Sequence, residues 1–348
     1  MKKKITKLKA ALLAVLSVVV ILLLSIGVIF LNMAIPVDAA AGGVEQGGYE
    51  WNNDTAFDPD LGAPLDTGGR DFKILILTDQ HYTRVFNDGK TDKLFDAMMK
   101  KAEPGLLILL GDQCFTPFNR AAYKHLIKKA DSYKTPWAVV FGNHDEQGKA
   151  TKNYLCKMLA GSEYCLFKYG PDNIGGAGNY FINLKNGADY VHTLYFLDTG
   201  VKEKKGYRPT SQKQIDWYEW AVNGITTAAG ETVPSTMLVH QPLFEYVAAY
   251  DAALLDAGLL FYGERREKEC PPYTNPGLFD KIKTLDSTKN VFSGHDHTND
   301  YSVLYDGVRL SYSLSSGYGS YGDKSLKGGT VVTVRTDGRI EQENCFKR

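Results

Sequence analysis

The chain has 348 residues, with 40 Lys and Arg against 40 Asp and Glu. At 44% hydrophobic and 23% charged it is globular rather than disordered, and 13 Pro beside 34 Gly exclude a collagen-like or Pro-rich stalk. Residues 1–39 hold five Lys and a single acid, Asp38, so the remainder carries 35 bases and 39 acids, which gives it no general pull toward nucleic acid.

Lys2, Lys3, Lys4, Lys7 and Lys9 precede an apolar run from Ala10 to Leu31, broken only by Ser17, Ser25 and Gly27. As a helix that run is about 33 Å long, enough to cross a bilayer. The small residues of Pro36-Val37-Asp38-Ala39-Ala40-Ala41 suit cleavage after Ala39. Residues 1–39 therefore read either as a signal peptide or as a retained membrane anchor. Both readings place the chain beyond residue 40 outside the cytoplasm, secreted or in the cell envelope. Residues 40–70, rich in Gly, Asp and Asn, read as a linker and lead-in loop, and 71–348 as one catalytic domain.

From Asp71 the chain alternates short apolar runs with helical patterns. Strands are expected at Phe72–Thr78, Leu106–Leu110, Trp137–Phe141, His192–Leu197, Thr236–Val239 and Asn290–Ser293. Their continuous apolar character implies burial on both faces. Helices are expected at Lys93–Lys101, Asn119–Ser132 and Ser211–Val222. Val308–Leu314 and Gly329–Val334 read as hairpin strands. The class is α/β. Cys114, Cys156, Cys165, Cys270 and Cys345 form no regular framework and read as mostly free thiols, though Cys156 and Cys165 are near enough in sequence to bridge.

Polar clusters follow five of the apolar runs: Asp79-Gln80-His81, Gly111-Asp112, Gly142-Asn143-His144-Asp145, His240-Gln241-Pro242 and Gly294-His295-Asp296-His297. Ligands of open α/β sheets bind beyond the C-terminal ends of strands, so these clusters should converge. Imidazole and carboxylate together suit zinc, iron or manganese. Asp79, His81, Asp112, Asn143, His240, His295 and His297 are seven candidate ligands, more than one ion needs and apt for two ions sharing a carboxylate. If the segments are extended, Asp79 and His81 point the same way, as do His295 and His297. Five of the seven His stand at these strand ends. His125 and His192 read as structural.

These five ordered blocks resemble the signature of the calcineurin-like metallophosphoesterases: D-x-H, G-D, G-N-H-[DE], a later H, and G-H-x-H. Val239-His240-Gln241-Pro242-Leu243, the stretch from Gly294 to Asp300, Glu269-Cys270-Pro271 and Asn275–Phe279 look like a branch related to purple acid phosphatases. The resemblance implies two packed mixed β-sheets flanked by helices, a four-layer sandwich. It implies two transition-metal ions, one held by Asp79, His81, Asp112 and His297, the other by Asp112, Asn143, His240 and His295. Where the purple enzymes have a tyrosinate ligand in G-D-x-x-Y, this chain has Phe115, so no iron–tyrosinate chromophore is expected.

The chemistry expected of such a site is phosphoester hydrolysis by metal-activated hydroxide, because two cations neutralise the charge that repels an anionic nucleophile. His144 would assist the leaving group, with Asp145 or a nearby backbone group orienting its ring. The partner is then a phosphorylated small molecule or macromolecule, most simply a monoester. A phosphodiesterase acting on nucleotides or lipid head groups is the alternative, and a catalytically silent binding module that keeps the fold is the rival from another class. Residues 10–31 offer membrane anchoring, and no nucleic-acid scaffold is expected. Arg84, Arg208 and Arg265 could each reach a phosphate and remain unassigned.

Overall fold

The computed structural model describes residues 2–34 and 47–347. The chain opens with α1 (Lys2–Ala34), then β1 (Ala63–Asp66), β2 (Phe72–Leu77), α2 (Asp88–Ala102), β3 (Leu106–Leu110), α3 (Asn119–Asp131), β4 (Trp137–Val140) and α4 (Lys152–Ala160). It continues through β5 (Tyr180–Asn186), β6 (Asp189–Leu197), a short hairpin of β7 (Lys202–Glu203) and β8 (Gly206–Tyr207), α5 (Gln212–Ala229), β9 (Ser235–Val239) and α6 (Tyr246–Leu255). It ends with β10 (Leu260–Tyr262), α7 (Leu278–Leu285), β11 (Thr288–Ser293), β12 (Ser302–Tyr305), β13 (Val308–Tyr312), β14 (Gly328–Val334) and β15 (Ile340–Phe346).

One sheet has five strands in the order β15-β14-β2-β3-β4, and the other has eight in the order β1-β5-β6-β9-β11-β13-β12-β10. The runs β2-β3-β4 and β6-β9-β11-β13 are parallel, and antiparallel strands flank both. Alternation along the strands builds the layers. Ile74, Ile76 and Ile108 of the first sheet meet Leu194, Leu238 and Phe292 of the second across the seam. The intervening Leu75, Leu77, Leu107 and Leu109 bury on the opposite face, in a core shared with Leu94, Phe95 and Met98 of α2 and with Tyr123 and Leu126 of α3. A second core joins Tyr195, Met237 and Val291 to Ile215, Trp217 and Tyr218 of α5, Tyr246 of α6 and Phe279 and Ile282 of α7. Each such side chain contributes roughly 1.5–3 kcal/mol on burial. The result is the four-layer arrangement of mixed sheets between helices.

The expected strands and helices are present, with α2 starting earlier at Asp88 and α5 running on to Ala229. Ser211 caps α5 in a reciprocal box with Gln214, and Gly230 at φ 80° ends it. Two expectations change. The segment expected as a linker is packed from residue 47 onward: Trp51 is buried, and β1 adds an edge strand parallel to β5. Its apolar residues Trp51, Phe57 and Ala63 are what docks it, with Phe57 and Trp51 each edge-on to Trp220 of α5. Of the two expected hairpin strands, Val308–Leu314 is strand as far as Tyr312, hairpins with β12 and pairs in parallel with β11 in the eight-stranded sheet, whereas Gly329–Val334 lies in β14 of the five-stranded sheet and hairpins with β15.

In α1 the apolar side chains from Leu12 to Ile26 are exposed. Among the described residues no helix is long and apolar enough to cross a membrane. The side chains at 10–11 and 28–31, and the expected cleavage stretch 36–41, lie outside the described residues. All five cysteines are free.

His125 and His192 are structural, as expected. His125 pairs with Asp92 at 2.9 Å. His192 is buried, donates from Nδ1 to the Gly338 carbonyl (2.8 Å) and accepts from the Thr236 hydroxyl at Nε2 (2.9 Å). Burial pushes its pKa down to about 4. The folded chain thus keeps His192 neutral where the unfolded chain, titrating near 6.5, takes up a proton. Its contribution to stability is complete above pH 6.5 and is lost as pH falls toward 4, by up to about 3 kcal/mol. Urea midpoints at pH 7 and pH 4.5 should therefore differ less in His192→Gln than in the native chain. Equal pH dependence in both proteins would contradict this account.

Candidate metal centre

The parallel strands of both sheets end at one edge of the seam, and five loops meet there. β2 leads into Asp79 and His81, β3 into Asp112, β4 into Asn143 and His144, β9 into His240, and β11 into His295 and His297. Backbone hydrogen bonds stitch the loops together. The Asp79 amide donates to the Gly111 carbonyl, the His81 amide to the Asp112 carbonyl and the Gly294 amide to the His240 carbonyl, each at 3.0 Å. The Ser316 amide, just beyond β13, donates to the Thr78 carbonyl at 2.8 Å and ties the two sheets across the site.

The expectation of extended i, i+2 pairs does not hold. Asp79, His81, Asp112 and His295 have φ of 56°, 47°, 53° and 72°, so left-handed turns, not strand periodicity, aim these side chains. Each such residue costs on the order of 1–3 kcal/mol, and clusters of them mark functional sites. Two glycines make the approach feasible. Gly111 sits at φ 92°, where a Cβ would lie 2.2 Å from the His240 ring, and a Cβ on Gly142 would lie 2.2 Å from Asp112 Oδ1.

Both carboxylates are divided. Asp79 Oδ2 accepts from the Thr78 hydroxyl (2.8 Å) and the His295 amide (3.1 Å). Its Oδ1 faces Nε2 of His297 at 3.1 Å and of His81 at 3.6 Å. Asp112 Oδ1 accepts from the His144 amide at 2.8 Å. Its Oδ2 lies 3.2 Å from His240 Nε2, 3.8 Å from His81 Nε2 and 3.9 Å from His144 Nε2. One oxygen of each is anchored to the scaffold and the other is turned to imidazole. Ligand-type atoms gather in two groups, Asp79 with His81 and His297, and Asp112 with His240 and His295, each within 4.8 Å. Asp112 Oδ2 stands between them.

The imidazoles are oriented from behind. His240 Nδ1 donates to the Leu110 carbonyl and His297 Nδ1 to the Tyr321 carbonyl, both at 2.9 Å, which leaves each Nε2 to the cluster. The Tyr321 ring also stacks on His297, with centroids 4.1 Å apart. Burial would raise the Asp79 carboxyl, but His297 and His81 outweigh it and hold it well below the usual range. Asp112 is likewise lowered against its burial, chiefly by His240. Burial lowers His240 too, but Asp112 overcomes it and pushes His240 up to about 10. Burial, then the neighbouring His240, takes His295 down to about 3.

A cation fits these residues. The Nε2 atoms of His81 and His297 are 3.1 Å apart beside a carboxylate oxygen. Asp112 Oδ2, Asn143 Oδ1 and His240 Nε2 are buried without a hydrogen-bond partner. Unpaired buried donors and acceptors are costly, and their convergence is relieved by a bound cation. Nitrogen with carboxylate and amide oxygen is the donor set of first-row transition metals.

His144 stands at the open side of the cluster with 28% of its side chain exposed. Its Nδ1 is 2.8 Å from Gln147 Oε1. Asp145 was expected to orient this ring, and the structure corrects that. The Asp145 carboxylate is fully buried and accepts from the amides of Gly142 (2.8 Å) and Cys114 (3.2 Å), so it pins the loops after β3 and β4 together. Burial and the nearby Asp112 raise its pKa to about 7. Gln147, three residues past His144, went unnoticed in the sequence because a lone amide in a turn carries no signal of its own. Phe115 forms a wall here, with its ring 4.4 Å from that of His144 and 5.9 Å from that of His81.

Comparison with known proteins supports the same grouping. A protein described as probable inactive purple acid phosphatase 14, from Arabidopsis thaliana, is 26% identical over 80% of this chain and 83% of its own. The phosphatase DCR2 of Saccharomyces cerevisiae is 29% identical over 78% of this chain, which spans 53% of that protein. A dimetal phosphatase from Danio rerio shares the fold, with a TM-score of 0.54 at 13% identity over 80% of this chain and 97% of its own. The calcineurin-like phosphoesterase family pattern matches residues 72–299, a span that takes in every one of the five strand-end loops. The chain belongs to the calcineurin-like phosphoesterase family.

Proposed function

We propose that the chain is a two-metal phosphoester hydrolase acting outside the cytoplasm, most simply on phosphomonoesters. The observation that carries this reading is the gathering of Asp79, His81 and His297 beside Asp112, His240 and His295, with Asp112 Oδ2, Asn143 Oδ1 and His240 Nε2 lacking hydrogen-bond partners among the described residues. Asp79, His81 and His297 would hold one ion, Asn143, His240 and His295 the other, and Asp112 both. Once bound, the ions supply charge neutralisation at the phosphoryl oxygens and a water acidic enough to attack phosphorus near neutral pH.

The chain's own groups complete the chemistry. His144, when protonated, gives its Nε2 proton to the leaving oxygen, while Gln147 keeps Nδ1 occupied and the ring facing the cluster. Phe115 covers part of that ring and excludes water from it. Such a proton transfer is worth about 10²–10⁴-fold. A silent binding module is the second reading, because three Arabidopsis relatives are described as probable inactive. A module without catalysis has no use for His144 poised beside a complete donor set, which favours the enzyme. The Lys-flanked apolar helix supports export, as a cleaved signal or a retained anchor. Sequencing the mature N-terminus separates these, since cleavage would expose Ala40.

Complete chelation should abolish hydrolysis of an aryl phosphate, and added Mn, Fe or Zn should restore it. Activity surviving verified demetallation would end the two-metal reading. A bis-aryl phosphate turned over faster than the monoester would make the enzyme a diesterase. No turnover of either ester with metals loaded would favour the silent module.

His144→Asn should keep both metals and lose about two orders of magnitude in turnover on an alkyl phosphate, with a smaller loss on an aryl phosphate, whose phenolate leaves unaided. Metal analysis beside the kinetics checks it, and equal losses on both esters would remove the proton-donor role. With Phe115 where a tyrosinate would bind, the iron-loaded protein should show no intense visible charge-transfer band. A purple protein that bleaches on reduction would overturn that assignment.

A further inference from the structure

The three arginines left open by the sequence differ in what holds them. Arg84 is bound to Asp88 at 2.9 Å, and Arg265 to Asp251 at 2.6 Å and Glu269 at 3.4 Å. Among the described residues no carboxylate holds Arg208. Its half-buried guanidinium lies against Gly200, where a Cβ would be 2.6 Å from Nη2. Arg208 closes the hairpin of β7 and β8, Val201-Lys202-Glu203-Lys204-Lys205-Gly206-Tyr207-Arg208, with four bases against one acid. That is a local excess of positive charge on a body with more acids than bases.

The hairpin borders the cluster. The Tyr207 ring meets the His295 ring edge-on at 4.5 Å. Gly200, under Arg208, accepts from Gln241 Nε2 at 3.3 Å, and Gln241 follows His240 directly. The Lys202 ammonium lies 5.7 Å from the Tyr207 ring centre. Lys202 also acts electrostatically on Cys270, whose thiol groups with His295 and Asp296 within 4.8 Å. Lys204 and Lys205 are exposed beside them. Solvated lysines need no explanation, but a half-buried arginine without a carboxylate, one residue from a ring touching His295, keeps its donors open to an anion.

We propose that this hairpin is an anion-binding rim, where Arg208 with Lys202, Lys204 and Lys205 holds a second phosphate of the substrate. The preferred esters then carry two or more phosphates, one at the metal cluster and one at the hairpin. This rests on the phosphoester hydrolase reading above. The two bound ions neutralise only the phosphate being cleaved. A further phosphate on the substrate would lie beside a body with more acids than bases, and the hairpin supplies cations next to His295.

The test uses the metal-loaded full chain with fructose 1,6-bisphosphate, fructose 6-phosphate and an aryl phosphate, comparing the native protein with Arg208→Gln and with the triple variant Lys202→Gln, Lys204→Gln, Lys205→Gln. The native enzyme should favour the bisphosphate in kcat/KM. Each variant should lose about tenfold more on the bisphosphate than on the aryl phosphate, chiefly through KM, with the native preference fading as salt is raised. A ratio unchanged in both variants overturns the proposal. A second arm compares vesicles containing phosphatidylinositol 4,5-bisphosphate with soluble inositol trisphosphate. Faster phosphate release from either, lost in Arg208→Gln, supports the rim and shows whether the phosphates come from a lipid or a free molecule. Calorimetric binding of fructose 1,6-bisphosphate to the metal-free full chain is independent of turnover. It should weaken about tenfold in each variant, and equal affinities overturn the proposal. Absence of all hydrolysis with the binding difference intact would fail the hydrolase reading and leave the rim standing.

Discussion

Everything at this site depends on two carboxylates kept out of water, each with one oxygen turned toward imidazole and that of Asp112 without a hydrogen-bond partner among the described residues. Asp79 and Asp112 are both about 1% exposed. A buried ionised carboxylate costs several kcal/mol unless paired, a large share of a stability that is commonly about 5–15 kcal/mol. The chain divides the problem by oxygen. One oxygen of each carboxylate takes backbone amides or a hydroxyl, which fixes its direction, and the other is turned toward imidazoles. Asp112 pushes His240 up against its burial, whereas burial and then the neighbouring His240 push His295 down. A bound cation serves several of these lone pairs at once. Ligand affinity and folding are then coupled, and occupancy of the cluster stabilises the native state by mass action.

The two-sheet architecture follows from what such a cluster needs. Ligands arrive from both sheets: Asp79, His81, Asp112 and Asn143 from the five-stranded sheet, and His240, His295 and His297 from the eight-stranded one. Neither sheet alone presents both groups. The apolar seam of Ile74, Ile76, Ile108, Leu238 and Phe292 sets the spacing between them, so packing far from the chemistry holds the geometry of the donors. The left-handed turns at Asp79, His81, Asp112 and His295 are affordable only on such rigid strand ends.

The centre of the fold was legible because its strands are buried on both faces and therefore read as unbroken apolar runs. Leu106–Leu110 is the plainest case, with all five residues buried. The metal cluster was legible because polar residues rich in His and Asp follow those runs directly. Elements at the margins were not. β15 (Ile-Glu-Gln-Glu-Asn-Cys-Phe) and β5 (Tyr-Phe-Ile-Asn-Leu-Lys-Asn) mix polar and apolar residues and owe their strand state to hairpin pairing with β14 and β6 rather than to an apolar run of their own. β1 is a four-residue strand fixed by pairing with β5 rather than by its own propensity. Asp145 was misjudged because adjacency to His144 suggested contact, whereas the chain turns its carboxylate inward to the Gly142 and Cys114 amides. Which arginine is free was also invisible, since it depends on Asp88, Asp251 and Glu269 finding the other two.

The distribution of function over the fold follows from these differences in constraint. Residues that would hold metal sit one to four positions past the ends of strands, where a shift of any one strand would be felt across the whole cluster. Phe115, Tyr207 and Tyr321 sit around them, Tyr207 in β8 and the others on loops, and meet the rings of His81 and His144, of His295 and of His297 respectively. None of their side chains supplies one of the cluster's seven donors, although the Tyr321 carbonyl holds the His297 ring in place. On the proposed reading, the strand ends would set the chemistry at phosphorus and the rim would choose the ester. Phe115 illustrates the division: it supplies no donor and forms a wall against the His144 and His81 rings. Substrate selection in this chain is thus to be sought in the charge and shape of the loops, where an unpaired Arg208 says more than the seven donors it overlooks.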